Sequence, residues 1–446
     1  MAHIEPFRAL RYNPAKVRPA DVATQPYDKI TPAMQERYYS ASPYNLVRII
    51  LGKRLPGDSP GDNPYTRAAA SFRDWRREGI LVQDPEPSIY GYSQQFAAPA
   101  NALNSALQFE RHGFIALGKI EDYAAGIVFR HEQTLAKPKA DRLDLLRATK
   151  AHFGQIFMLY SDPGAEIDQA LASSEPPDLE MRDEYGVLHR VWRISDSGTI
   201  ERVRNKMRDK KLIIADGHHR YETALTYRNE RRTDIGGSLT KGAEERTDQR
   251  PGPYDFAMMT FVNMDSPGLL ILPTHRVVHG LSSFSAESFR AGAAKFFTVD
   301  ETDLDVSPER AMARLREAGQ TGTAILAATR ERAFLLSHPK PAEAIFENVS
   351  IRQQGLDVVQ LHKCLLEHVL GISEAAIRDQ ANITYVRDAG EALNLARAGQ
   401  ANVAFLMNPV RMEQVRDIAF GGEVLPQKST DFYPKLLSGL AIYALE

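Results

Sequence analysis

Asp216, Gly217, His218, His219 and Arg220 stand in a row within LIIADGHHRYETAL, Leu212 to Leu225. A carboxylate, two imidazoles and a guanidinium so close together suit the binding of an oxyanion, and a phosphate above all. The stretch begins with Leu212, Ile213 and Ile214, an apolar run that fits a buried strand. Asp216 and Gly217 then favour a sharp turn, and a helical pattern follows. His218, His219 and Arg220 therefore fall in the first helical turn, where unpaired backbone N–H groups and the positive end of the helix dipole favour an anion. The end of a strand is also where open α/β sheets bind ligands. Adjacent histidines point in different directions on a helix and lack the i, i+4 spacing of a zinc pair. In a purely structural reading, Asp216 caps the helix and Arg220 sits in an ion pair.

Three further clusters could join this one. Arg130, His131 and Glu132 follow an apolar segment, and Lys137 and Lys139 flank Pro138 ahead of Asp141 and Arg142. A helix over 140–151 would gather those charges near its electropositive start, and the alternative is a solvated, ion-paired loop. His275 and Arg276 lie in PTHR, and Lys428, Ser429 and Thr430 lie in a loop ahead of an expected final helix. The KST triplet lacks the glycine-rich approach of a P-loop. GxGxxG, Walker A, GxSxG and HExxH sequences are absent, which removes the commonest dinucleotide, nucleotide, hydrolase and zincin assignments.

The elements that position these groups follow from composition and pattern. With 446 residues the chain can bury more than one core. Lys plus Arg number 55 against 57 Asp plus Glu, a net charge of −2, so no global attraction to nucleic acid follows. Cys364 is the one cysteine, which excludes a disulfide framework and a cysteine-rich zinc module. It lies in an amphipathic stretch, 356–370, and reads as a core residue. Apolar runs fall short of a membrane span, and the opening MAHIEPFRALRYNP lacks the basic and apolar regions of a secretory signal. A soluble cytoplasmic protein without a membrane partner is the expectation.

Thr31 and Pro32 suit the start of a helix reaching Ser40, SPYNLVRIILG reads as a loop and then a strand, and a helix covers 65–79. Strands are expected over 88–96, 107–120, 155–160, 187–194, 256–264 and 269–278. Strands alternating with helices predict a mixed α/β fold: a central mixed sheet with flanking helices and an additional α/β subdomain. The expected division is an N-terminal portion, 1–232, carrying the RHE and DGHHR motifs. A mobile loop, 233–253, follows, and then a C-terminal portion, 254–446, ending in the PQKST loop and a helix.

PFRALRY, QPYDKI, FRHEQT, PKADRLDLLRAT, ADGHHRYETAL, LPTHR and PQKSTDFYPKLLSGL form an ordered series along the chain. The series resembles the bacterial and archaeal family called domain of unknown function 1015. More narrowly, ADGHHR is similar to the phosphate-contacting segment of the ParB and sulfiredoxin superfamily, and implies its strand–turn–helix core. That superfamily includes free-serine kinases, which make O-phospho-L-serine from a nucleotide phosphoryl donor. Its sulfiredoxins carry a catalytic cysteine in the corresponding loop. Here His218 and His219 stand there and Cys364 is remote, which argues against sulfinic-acid reduction.

The resemblance implies phosphoryl transfer to a small hydroxyl-bearing metabolite, with L-serine leading, and with Mg2+ and a nucleotide or pyrophosphate as donor. Such a reaction needs cations around the phosphates, a metal shared with their oxygens and a carboxylate at the hydroxyl. His218, His219 and Arg220 would hold phosphates beside Gly217, Asp216 would bind magnesium or act as base, and Glu132 is the alternative base. Arg130, His131, Lys137, Lys139, Arg142 and Lys428 would complete a positive pocket, with His275, Arg276, Ser429 and Thr430 as further contributors. Two other readings compete: a non-catalytic nucleotide- or phosphometabolite-binding regulator, and a ParB-like nucleic-acid-associated protein, for which the near-neutral chain offers no basic helix.

Overall fold

The computed structural model describes residues 1–99, 107–132, 136–238 and 251–445, without the side chains of 136–138 and 234–238. Along Leu212–Asp216 the side chains alternate. Leu212 and Ile214 pack with Val203, Met207 and Tyr221, while Ile213 and Ala215 join the opposite core with Phe157 and Phe432. A period of two with both faces apolar is that of a strand covered on both sides.

This strand belongs to a nine-stranded sheet. The order is Val128–Phe129, Leu212–Asp216, Ile156–Tyr160, Phe256–Asn263, Gln108–Lys119, Ile89–Ala97, Leu188–Ile194 and Leu179–Arg182, with Ile4–Glu5 paired to Gln108–Lys119 off that path. Leu212–Asp216 runs parallel to Val128–Phe129 and antiparallel to Ile156–Tyr160, and Phe256–Asn263 runs parallel to Ile156–Tyr160. The other pairs are antiparallel, so the sheet is mixed. Helices Ser197–Met207 and His218–Ser238 flank it.

A six-stranded antiparallel sheet follows, in the order Thr298–Thr302, Ala333–Ser337, Ala324–Ala328, Val403–Met407, His275–Val278 and Ile383–Val386. One of its faces is covered by helices Pro308–Gly319 and Ala389–Arg397 through Leu315 and Leu393. Its other face, with Phe289, Phe405 and Leu365, is continuous with the core of the first sheet. The molecule is thus mixed α/β, with flanking helices around a central mixed sheet. Among the described residues no helix is long and apolar enough to cross a membrane.

Several elements differ from the reading of the sequence. Val47–Ile50 is a helical turn rather than a strand, because Asn45 accepts from the Val47 N–H at 3.0 Å while its amide anchors to the Asp21 carbonyl at 2.7 Å. Phe256–Asn263, placed in the C-terminal portion by a boundary at 254, is an interior strand of the first sheet. The helix from His218 runs on to Ser238, inside the expected loop 233–253, of which 239–250 lie outside the described residues.

No helix follows residue 430 among the described residues. Asp431–Tyr433 is a strand paired with Leu270–Leu272, and beyond it Leu436, Leu437, Leu440, Ala441 and Ile442 are all buried. That run leaves no polar face for a surface helix, and Gly439 has φ +100°. The segment instead bridges the N-terminal arm, Thr24 to Ser438 and Leu10 to Ile442. These bridges bring Tyr27, Asp28 and Lys29 beside residues 428–435.

Candidate functional site

A cavity of about 530 Å³ opens at the end of Leu212–Asp216. Its walls come from the arm (Tyr27, Asp28, Lys29), from Glu132, from Asp216 to Arg220, from Thr274, from Thr384 to Arg387 with Glu391, and from Lys428, Thr430, Asp431 and Lys435. Lys29, Arg220, Arg387, Lys428 and Lys435 are matched there by Asp28, Glu132, Asp216, Glu391 and Asp431. The lining is therefore balanced in charge rather than uniformly positive.

Local backbone aims the central groups. The pairing of Leu212–Asp216 with Ile156–Tyr160 slips between Ile214 and Asp216, so that Asp216 stands opposite Phe157. A bulge of this kind turns the strand and redirects the side chain that follows. Gly217 has φ +92°, and a Cβ on it would lie 3.0 Å from Arg220 Nε and 3.1 Å from its Cζ. Glycine is needed here twice, for the left-handed backbone and for the close passage of the guanidinium. Arg220 donates to the Gln155 carbonyl and, at 3.1 Å, to Asp216 Oδ2.

Two carboxylates in this cavity are tuned in opposite directions. Burial pushes Asp216 up, but Lys435, Arg220 and Lys29 outweigh it and hold its carboxyl well below the usual range. Lys435 Nζ lies 3.9 Å from Asp216 Oδ1 and 3.0 Å from Asp431 Oδ1. Burial alone would lower the Lys435 ammonium, and the two carboxylates reverse this and raise it. Asp431 is pushed up by burial, yet Lys435, Arg387 and Lys29 bring it below its ordinary value. Glu132 is raised by burial in spite of Lys428, whose backbone N–H donates to it at 3.4 Å. Carboxylates pushed apart in this way can divide the labour of acid–base chemistry.

The histidines bring hydrogen bonds rather than charge. Burial and the neighbouring His131 lower His218 far below the ordinary histidine value, and His219 is lowered by burial as well. His218 Nε2 has no protein partner, nor do Arg220 Nε and the Tyr385 hydroxyl, and all three residues line the cavity. His131 is fully buried, with Nδ1 2.8 Å from the Ile214 carbonyl and Nε2 2.8 Å from the Thr430 hydroxyl. Burial pulls it down to about 4, so it braces the site as a neutral ring.

Other expected contributors lie elsewhere. Arg130 and Lys139 pair with Glu222, at 3.5 and 3.2 Å, and neither lines the cavity. Arg142 donates to the Ile50 carbonyl at 2.7 Å and lies 4.1 Å from the centre of the Tyr27 ring, supporting the arm from behind. The Lys137 side chain is outside the described residues. His275 is buried in the second sheet, where its Nδ1 accepts from the Met407 N–H at 3.1 Å. Arg276 donates to the carbonyls of Thr274 and Lys428 and so anchors the 428–430 loop, and Ser429 turns away from the cavity.

Lys29, Asp431 and Lys435, with Arg387 and Tyr385, complete the lining and were not singled out from the sequence. The first three lie inside the motifs QPYDKI and PQKSTDFYPK, but nothing in their spacing reveals that segments some 400 residues apart meet. Among the described residues no group of three or more His, Cys, Asp or Glu side chains gathers as a metal cage.

Similar solved structures include a free serine kinase in complex with AMP, 12% identical, covering 68% of this chain and 83% of that one with a TM-score of 0.33. A variant of a free serine kinase in complex with ADP gives the same figures. SbnI with C-terminal truncation from Staphylococcus aureus is 9% identical over 73% of this chain and 85% of that one, with a TM-score of 0.32. No curated protein matches the chain in sequence. The family model described as "Protein of unknown function (DUF1015)" matches residues 4–359, and the chain belongs to that family.

Proposed function

We propose that this cavity transfers a phosphoryl group to a small hydroxyl-bearing metabolite, with free L-serine the leading substrate. The observation that carries the reading is the balanced ring of cations and carboxylates around Asp216, supplied by separate segments of the chain. A zwitterionic amino acid needs partners of both signs, and a phosphoryl donor needs the cations. His218 Nε2, Arg220 Nε and the Tyr385 hydroxyl supply polar atoms without protein partners.

Glu132 is the better base. Its raised carboxyl can take the hydroxyl proton as the new O–P bond forms and the bond to the donor's leaving oxygen breaks. Asp216, held ionised, is the poorer proton acceptor and the better partner for a cation. Mg2+ binds through one or two carboxylates and substrate phosphates rather than a full protein cage. Asp216 fits that donor set and leaves Glu132 to act as the base, and bound magnesium would neutralise charge on the phosphate oxygens. Arg220, Lys29 and Lys435 would steady the donor's phosphates.

The test incubates the purified chain with L-serine, magnesium and ATP, ADP or pyrophosphate and follows O-phospho-L-serine by mass spectrometry. Product with at least one donor is the expected result. Saturable nucleotide binding with no product from any donor would favour a regulator, and salt-sensitive retention of DNA a nucleic-acid-associated protein.

A further inference from the structure

A second cavity, of about 680 Å³, lies across the 428–430 loop from the first. Lys428 and Thr430 line one cavity and Ser429 lines the other, so the loop is a partition, and Thr274 borders both. The charged residues of this second lining are Arg276, Arg316, Arg411 and Asp357.

Arg276 is 2% exposed. Its two terminal nitrogens are taken by the carbonyls of Thr274 and Lys428, while Nε has no protein acceptor. A buried charged donor left without an acceptor is costly, and a ligand oxygen would remove that cost. Arg316 and Arg411 are exposed side chains of the same lining. Met312, Leu356, Val358 and Met407 give the cavity an apolar wall.

Asp357 is the one acidic residue of this lining among the described residues. Burial raises its carboxyl to about 6 against hydrogen bonds from Thr323 and the Ala324 N–H, the charge of Arg411 and a hydrogen bond from Asn408. With Arg411 acting on that carboxylate, the lining carries three guanidinium groups and one carboxylate, and Arg276 is the one among them with a buried N–H left without an acceptor. Cationic and apolar walls together select an anionic head on an apolar body.

We propose that the second cavity binds a small organic anion, a carboxylate or phosphate on an apolar body, with Arg276 at the head group and Arg316 and Arg411 supplying further charge. The site stands on its own geometry and uses no step of phosphoryl transfer.

The test is calorimetric titration of the full chain with phenyl phosphate and with hexanoate, using phenol and hexanol as uncharged counterparts. At least one anion is expected to bind saturably, ten times or more tighter than its counterpart. The double variant R316A/R411A, altered only at exposed side chains, should weaken that binding at least tenfold, and Lys435→Met, in the first cavity, should change it less than twofold. Binding of phenyl phosphate alone identifies a phosphate head, and of hexanoate alone a carboxylate head. Failure of both anions to bind, equal affinity for the uncharged bodies, or affinity untouched by the double variant overturns the proposal. Phosphoserine formation is measured separately, so either reading can fail without the other.

Discussion

His131 Nε2 lies 2.8 Å from the hydroxyl of Thr430, across 299 positions of sequence. The other ring nitrogen faces the Ile214 carbonyl, which can only accept, so Nδ1 carries the proton and Nε2 accepts from the threonine. One neutral imidazole thereby ties the central strand to the 428–430 loop and fixes the distance between two walls of the cavity. Replacing it by phenylalanine keeps the volume and removes both bonds. We expect His131→Phe to destabilise the fold by about 2–4 kcal/mol, the cost of breaking a buried network. His131→Phe should also lower turnover more than substrate affinity. A urea midpoint equal to that of the parent chain would show that the bridge does not hold the fold together.

Acid should unfold this protein earlier than its carboxylates alone require. Burial lowers His131, His152 and His275 to about 4 and His362 to about 3, against an ordinary value near 6.5. Between those limits the unfolded chain binds protons that the folded chain does not, so stability falls as pH drops from about 6.5 towards 4. Each such histidine removes about 1.4 kcal/mol per pH unit in that window. Asp216 and Asp431 have depressed carboxyls, and their contribution is lost only at lower pH, as each titrates below the ordinary carboxylate value. Urea titrations at pH 7 and pH 5 should differ by several kcal/mol, and His152→Phe should reduce the difference. A flat profile over this range would rule out neutral burial of these rings.

Gly217→Ala tests whether the turn after the central strand is as constrained as its geometry implies. A Cβ there meets Arg220 at 3.0–3.1 Å on a backbone with φ +92°. The left-handed conformation costs an alanine about 1–2 kcal/mol, and the guanidinium must also move away from Asp216. The expected result is a modest loss of stability with a larger loss of phosphate-donor affinity. Parent-like affinity would mean that Arg220 takes no part in holding the donor.

The strongest local signals were legible in the sequence. Apolar Leu212–Ile214 followed by Asp216 and Gly217 predicts a strand and a turn because backbone preference and burial agree there, and the structure places them so. The terminal helix was misread because its leucines lie close enough together to mimic an amphipathic pattern. In fact the segment is buried on all sides between the arm and the sheet. The charged clusters show a further limit. Arg130, Lys139 and Arg142 looked equivalent to Lys428, but Glu222 and the Tyr27 ring, which neutralise or cover them, are 83 to 115 positions away in sequence, and Arg142 is also paired with its neighbour Asp141. Composition records a cation, and only the fold decides whether it faces a cavity.

Glu132 and Asp216 should separate cleanly when each is neutralised in turn. Glu132→Gln removes the raised carboxyl and should lower kcat by about 10²–10⁴-fold, the usual contribution of a general base. It should also abolish the rise of kcat/KM with pH that follows ionisation of that carboxyl. Asp216→Asn removes the charge that Lys435 and Arg220 face, so two partly buried cations each lose one partner while Lys435 keeps Asp431. Its main effect should be weaker binding of magnesium and the phosphate donor, with the pH limb retained. Equal losses and identical pH profiles in the two variants would overturn the division of roles. An intact rate in Glu132→Gln would move the proton transfer to another group.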